Sequence, residues 1–438
     1  MKKFLSAAVS AAMAVTSVLP FAGTASAADD TKNIVVLGDS IASGYGLSKS
    51  EHNYGELLGD YYGTETANYA VSAAETGDLI GKLEKPSEDI AASIKNADCV
   101  VVSIGGNDMI HYASSYLLNI CANINVLKSG YTSKDVPEDP TLGDVINLVD
   151  IDALKAYALD NPLVMNSNVQ KLRANIVEKD NGKYDCLIQK KVMPNIEKIY
   201  SDIKSLNPEA QVVYQTLYDP LQFDAVYYDK AYTGTTKTVM NMLKPVSAAI
   251  VESYNTQLSE AQLGDTLIAD IYADFTSLDE NGGKYSWYFT KMQEDRAEMD
   301  FHPTQAGHVA IAAKVIETIG TRKGAGKLIS DTFNSLPAKE SYPAAALATY
   351  NKVTADVSST LGDPNNDGKV DAKDASFILV EYSKLSTGEK SELTAAEKEA
   401  ADVNGDKFID AKDASAVLGY YAYISTGGTK TIAEYLGL

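Results

Sequence analysis

Three sets of residues in this chain have types and spacing suited to chemistry. Ser40 follows Gly38-Asp39 at the end of the apolar run Ile34-Val35-Val36-Leu37. A hydroxyl of this kind needs a base, and the chain offers four histidines: His52, His111, His302 and His308. Towards the C-terminus, acidic and amide residues recur in one pattern: Asp363, Asn365, Asp367, Asp371 and Asp374, then Asp402, Asn404, Asp406, Asp410 and Asp413. A serine at a strand-to-helix turn exposes its hydroxyl beside a helix N-terminus, which stabilises negative charge. Read alone, Gly-Asp-Ser has first of all the composition of a surface turn. Other segments reverse that reading.

The elements that must position these residues follow from hydrophobic patterning. Short β-branched runs at Ile34–Leu37, Asp98–Ile104 and Gln211–Leu217 have the pattern of strands buried on both faces. Leu267–Phe275 is expected as another strand, and Asn68–Thr76 as a short strand running into a small-residue turn. Glu51–Tyr62 reads as a polar helical stretch, and 109–192 as a helical insertion. Val246–Leu258 carries apolar residues at helical spacing. His302-Pro303 opens a helix with Pro303 at its first position and Val309, Ala312, Ile316 and Ile319 on one face. Strands alternating with helices predict an α/β chain, a parallel sheet covered on both sides. Ligands bind at the carboxyl ends of such strands, where Ser40, Asn107 and the turn after Val71 converge.

Composition narrows the function. The 438 residues are 45% hydrophobic and 22% charged, which is ordinary for a soluble globular protein of two or three domains. A net charge of −21 argues against nucleic acid and anionic membrane surfaces as partners. Lys2 and Lys3, the apolar Phe4–Phe21 and the small residues Ala25-Ser26-Ala27 predict a secretory signal peptide over 1–27 and a secreted, extracellular product. Cys99 is expected to be buried apolar volume. A pairing of Cys121 with Cys186 stays open.

The motifs GDS at 38–40, NYAVSA at 68–73, GGND at 105–108 and DFHP at 300–303 stand in one order, each at an expected strand end. In this the chain resembles the SGNH (GDSL-type) hydrolase family across roughly residues 33–319. The resemblance implies a flavodoxin-like α/β/α sandwich over 28–334 and an ester hydrolase needing no cofactor for catalysis. It makes Ser40 the nucleophile and His302 the base. The backbone N–H groups of Ser40 and Ala73 and the Asn107 side chain become oxyanion donors. His111 is the only serious rival base, and His308 is expected to be structural. Two positions depart from the family. Ala73 stands where glycine is usual, a difference that matters only if the backbone has positive φ. The family's acid lies three residues before the histidine, which is Met299 here. Either Asp300 reaches the imidazole from its shorter offset, or a backbone carbonyl near Met299 orients the ring.

The C-terminal repeat has the ligand spacing of an EF-hand calcium loop at positions 1, 3, 5, 9 and 12, with the backbone carbonyls of Lys369 and Phe408 at position 7. Aspartate at position 12 and the tandem arrangement resemble a dockerin, a small all-α calcium-binding module, over 361–424. The resemblance implies two calcium ions and a cohesin domain of a scaffoldin as partner. Phe377, Leu379 and Tyr382, then Val417, Leu418 and Tyr421, form the expected apolar stripes after the loops. Lys407 replaces the usual glycine at position 6, so the second site is expected to be weaker. Residues 335–360 read as a linker, with a short helix expected inside it at Tyr342–Val353 (YPAAALATYNKV), and 425–438 as a tail.

Together these readings point to a secreted, cellulosome-associated esterase acting on ester groups, acetyl above all, of plant cell-wall polysaccharide. Feruloyl or lipid esters are the alternative substrates. A catalytically inactive wall-binding component is the non-enzymatic alternative.

Overall fold

The computed structural model describes residues 31–177, 179–180, 183–184, 186–221, 234–276, 286–291, 300–322, 325–337, 342–354, 361–365, 369–391, 393 and 395–438. The expected signal peptide lies outside the described residues. Five parallel strands form the central sheet in the order β2-β1-β3-β4-β5: β1 Ile34–Gly38, β2 Ala67–Asn68, β3 Cys99–Ser103, β4 Gln211–Gln215 and β5 Leu267–Ala269. Every residue of β1 and β3 is buried. Alternate side chains feed two apolar layers, because successive Cβ atoms point to opposite faces.

Val36, Val101 and Val213 face one layer, formed with α2 (Tyr54–Tyr62) and α8 (Gln305–Ile319). Val35, Val100 and Val212 face the other, formed with α3 (Thr76–Glu84), α4 (Glu88–Lys95), α6 (Met193–Leu206) and α7 (Gly234–Glu260). The result is the α/β/α sandwich that the strand pattern predicts. The chain leaves β1 outward to β2 and returns to β3 on the other side of β1. The crevice between the carboxyl ends of β1 and β3 is therefore the topological switch point, where open α/β sheets bind ligands.

Several expectations are corrected. Beyond β5 the predicted strand becomes a helix, Ile271–Thr276, because Asp270 caps it by accepting the Ala273 N–H at 3.1 Å. The stretch Glu51–Tyr62 is not polar: Tyr54, Leu57, Leu58, Tyr61 and Tyr62 are buried on the core side of α2. Helix α8 starts later than predicted, with Thr304 as N-cap accepting the Gly307 N–H, so Pro303 lies outside the helix. Nearly all its faces are buried, because the central position between sheet and outer helices leaves no solvent side.

The insertion is helical, with α5 (Gly106–Asn123) and helices at Leu142–Leu148, Ile151–Asp160 and Pro162–Val177. It also holds a two-stranded ribbon, Lys179–Asp180 with Lys183–Tyr184. All three cysteines are buried and free. Cys121 lies in the insertion's own apolar cluster and Cys186 in a sheet layer, so the two do not pair.

The segment 335–360, read as a linker, carries α9 (Ala344–Val353). Its Ala346, Tyr350 and Val353 are buried in the same cluster as α2 and α8. Tyr350 stacks on Phe333 at 4.0 Å between ring centroids, and Tyr61 donates to the Val353 carbonyl at 2.9 Å. An aromatic pair of this kind adds about 0.5–1.5 kcal/mol beyond its burial. The abundance of alanine and serine had hidden one buried helix face.

Near the C-terminus, α10 (Ala372–Ser386) packs on α11 (Ala411–Ser425). The residues between them are Ala375, Ile378, Ala414 and Val417. The stripes do lie on helices, with Val417 buried while Leu379, Tyr382, Leu418 and Tyr421 face solvent. The small alanines let the helices approach along the neighbouring face. Residues 425–438 include a helix, Ile432–Leu436, whose Ile432 is buried in this cluster.

Candidate active site

β1 ends at Gly38, whose φ of 147° brings it so close to β3 that a Cβ would lie 2.1 Å from the Ser103 carbonyl oxygen. Only glycine fits there. Asp39 then caps the short helix α1 (Ser40–Ser43) by accepting the Ile41 N–H at 3.0 Å. Burial pushes the Asp39 carboxyl up to about 7, against that hydrogen bond, which favours the charged form. Ser40 at the first turn is buried except for 8% of its surface.

His302 Nε2 lies 2.9 Å from Ser40 Oγ, and His302 Nδ1 lies 2.7 Å from Asp300 Oδ1. Asp300 Oδ1 also accepts the His302 backbone N–H at 3.0 Å. This second bond folds the two-residue offset into a tight turn, so the carboxylate reaches the ring. Met299, the other expected origin of orientation, lies outside the described residues. The imidazole is flanked by Phe301 and Tyr45, with ring centroids 5.0 and 4.6 Å away. The geometry holds Nδ1–H on the carboxylate and leaves Nε2 as an acceptor facing the serine hydroxyl.

The expected oxyanion donors come from two further segments. Gly105, at φ 109°, is the N-cap of α5; a Cβ there would meet the Tyr254 ring at 2.7 Å. Asn107 follows in the first turn of α5, and its Nδ2 donates to the Ala74 carbonyl at 3.0 Å. That bond uses one of the two amide hydrogens. Ala73 sits at φ 65°, so the alanine occupies the left-handed conformation that glycine takes without cost. Val71 N–H bonds the Gly38 carbonyl at 2.9 Å, and Asn68 Nδ2 bonds the Ala42 carbonyl at 2.8 Å. The loop after β2 is thereby fastened to the Ser40 turn.

The other histidines lie elsewhere. His111 pairs with Glu75 and, through Nε2, with Asp139 at 3.0 Å. His308 is buried, accepts the Tyr54 N–H at 3.3 Å through Nδ1, and is pushed down to about 3 by burial. A group of charged residues around Glu75, Asp108 and Lys191 was not anticipated. No local pattern could reveal it, since its members are far apart in the chain. A cavity of about 250 Å³ opens beside the site, walled by Ile41, Met109, Leu217, Val246, Ile250 and Phe301 among others.

In the second C-terminal loop, side-chain oxygens already turn inward on backbone N–H groups. Asp402 accepts from Lys407 at 2.9 Å, Asn404 from Asp406 at 2.9 Å, and Asp406 from Phe408 at 3.0 Å. Asp413 accepts from Asp410 at 2.9 Å and from Asn404 at 3.2 Å. Lys407 adopts φ 68°, the sharp turn expected at position 6. Asp402 Oδ1 is buried with no hydrogen-bond partner, an oxygen suited to a cation. Among the described residues no three acidic, histidine or cysteine side chains converge. Asp406 and Asp410 instead lie 3.3 and 3.5 Å from the Lys412 ammonium. In the first loop Asp363 and Asp374 are buried, and Asp367 lies outside the described residues.

The switch-point crevice with its serine and histidine defines the class as an α/β hydrolytic fold. The chain belongs to the GDSL-like lipase/acylhydrolase family, which matches residues 36–310. It is thus an ester hydrolase by family, and it carries a dockerin type I domain at 361–420. No curated protein matches. Among solved structures it is similar to an extracellular lipase from Streptomyces rimosus, at 18% identity over 64% of this chain and 95% of that one, with a TM-score of 0.37. Similar too are the lipase Lip_vut3 from a goat rumen metagenome and phospholipase A1 from Streptomyces albidoflavus. The first has 14% identity, 66% and 97% coverage and a TM-score of 0.36. The second has 17% identity, 64% and 94% coverage and a TM-score of 0.33.

Proposed function

We propose that this protein is a secreted serine esterase that removes ester groups, acetyl first among them, from plant cell-wall polysaccharide. Its dockerin holds it on a cellulosome scaffold through a cohesin. The observation that carries the hydrolytic reading is the unbroken chain Asp300–His302–Ser40. Ser40 Oγ attacks the ester carbonyl while its proton passes to His302 Nε2, and Asp300 stabilises the imidazolium. The oxyanion receives the N–H groups of Ser40 and Ala73 and the second Nδ2 hydrogen of Asn107. Collapse expels the sugar oxygen, which takes the proton from Nε2. Water, activated by His302, then releases the acid and frees Ser40.

The polysaccharide assignment rests on the dockerin, since modules of this kind place enzymes among others that degrade plant walls. Asp363, Asn365, Asp367, Asp371 and Asp374, with the Lys369 carbonyl, would hold one calcium ion. Asp402, Asn404, Asp406, Asp410 and Asp413, with the Phe408 carbonyl, would hold the other. Bound calcium supplies charge compensation for the gathered carboxylates. The buried, unpartnered Asp402 Oδ1 supports this reading. The packing of α9 on the cluster of α2 and α8 supports a hydrolase module that extends to about Val353.

The apolar cavity favours a second reading, feruloyl or lipid esters, because an acetyl group would leave most of it unfilled. Each buried methylene is worth about 0.8 kcal/mol, roughly fourfold in kcat/KM. The test is hydrolysis of p-nitrophenyl acetate, butyrate and octanoate, methyl ferulate, and acetylated xylan and pectin. Acetate released from the polysaccharides is the expected outcome. A rise of about fourfold per methylene without acetate release would replace it with the second reading, and inertness on every ester would leave a wall-binding component.

A further inference from the structure

The two segments expected to supply oxyanion donors are tied together by a charged network in which Asp108 belongs to the GGND motif and Glu75, His111 and Lys191 lie outside all four. Asp108, next to Asn107 and 1% exposed, accepts from the Thr76 N–H at 2.9 Å and the Thr76 hydroxyl at 2.8 Å. Lys191 Nζ lies 2.7 Å from Glu75 Oε2 and 3.4 Å from Asp108 Oδ1. Glu75 Oε1 pairs with His111, one turn along α5 from Asn107. Asn195, four residues beyond Lys191, donates to the Thr76 hydroxyl at 2.8 Å. Lys191 thus bridges a carboxylate on each side, one following Ala73-Ala74 and one following Asn107.

Lys191 belongs to a π-helical turn, Ile188–Val192, where the Met193 N–H reaches back five residues to the Ile188 carbonyl. Such turns are rare and are frequent at functional sites. We propose that Lys191 is a positioning residue that fixes the separation between the Ala73 N–H and the Asn107 amide. It touches neither substrate nor reacting atoms and acts through both donors.

The physical need is clear from the parts. Asp108 is fully buried, and a buried carboxylate stripped of a counter-charge pulls its hydrogen-bond partners out of place or takes up a proton. Either response moves α5 relative to the loop at Thr76. Ala73 holds an unfavourable backbone conformation, so this loop relaxes readily once its far end is released. Oxyanion stabilisation falls steeply with donor misplacement.

The proposal rests on Asn107 as an oxyanion donor, and a double-mutant cycle on the full chain with p-nitrophenyl acetate separates the two claims. Lys191→Met is expected to lower kcat about tenfold or more with KM unchanged within about twofold, and Lys191→Arg to keep most of the activity. In the Asn107→Ala background, Lys191→Met should add less than about threefold, because the donor it positions is gone. Wild-type kcat in Lys191→Met, or a full multiplicative loss in the Asn107→Ala background, would overturn the positioning role. A harmless Asn107→Ala removes the oxyanion assignment and the brace with it; a damaging Asn107→Ala with multiplicative Lys191 loss overturns the brace alone. Should Lys191→Met lose its cooperative melting transition, His111→Asn removes the other partner of Glu75 and runs the same cycle. A multiplicative loss there counts equally against the proposal.

Discussion

The serine site and the C-terminal loops solve one problem, holding polar side chains close together, in opposite ways. At Ser40 each group meets a partner of opposite polarity: His302 lies between a hydroxyl and a carboxylate, and Asn107 is fastened to a carbonyl. In the loop at Asp402–Asp413, like-charged groups share one turn and lean on backbone N–H groups and Lys412. The first arrangement is complete from the chain's own atoms. The second leaves a buried acceptor, Asp402 Oδ1, without a hydrogen-bond partner, an oxygen that a bound cation would use. Catalytic geometry should therefore be indifferent to metal, and C-terminal order should depend on it.

The largest effects that sharpen this contrast lie at His302. His302→Ala should lower hydrolysis by about three orders of magnitude or more, since it removes the base of a unit that acts together. Asp300→Asn should follow closely, because an amide accepts no more than a neutral bond and disturbs the imidazole tautomer. Steady-state kinetics on p-nitrophenyl acetate decide it. A nearly normal Asp300→Asn would mean that another group orients the ring.

Chelation comes next. Adding EDTA to the full chain should abolish hydrogen-exchange protection of α10 and α11 while leaving kcat within about twofold, since binding free energy of the ion becomes folding free energy of the loops. Asp402→Ala should give the same loss for the second loop in the presence of calcium. Protection that survives EDTA would remove the contrast between the two regions.

Much of this was readable beforehand, for physical reasons that differ by region. β1 and β3 are buried on both faces, so their sequences are unbroken apolar runs that announce strands. The motifs at 38–40, 68–73 and 105–108 sit at strand ends, where a sharp turn demands glycine, as at Gly38 and Gly105; the motif at 300–303, also expected at a strand end, instead leads into α8. α9 was readable as a short helix, but its docking on the core was hidden because burial of Ala346 needs no large apolar residue. The stripe on α10 announced the helix but not its exposure, because periodicity marks a face without saying which neighbour covers it. The Lys191 bridge depends on the turn at Ile188–Val192 bringing a lysine to carboxylates more than eighty residues away by chain. No spacing rule encodes such a contact.

The smallest expected effect concerns Ala73. Left-handed backbone costs an alanine roughly 1–2 kcal/mol, while glycine loses about 0.5–1 kcal/mol more in chain entropy on folding. Ala73→Gly should therefore stabilise the protein by up to about 1 kcal/mol, a rise of a few degrees at most in Tm for a domain of this size. Calorimetry at fixed calcium reads it, and a fall in Tm would show that the methyl group contributes packing that outweighs the strain.

The central claim is that Ser40 is activated by a site complete without metal. Its most direct test is mass spectrometry of the full chain after reaction with a fluorophosphonate in EDTA. The account predicts one adduct, carried by Ser40, and none in Ser40→Ala or His302→Ala. An adduct on another residue, or no adduct until calcium is restored, would contradict it.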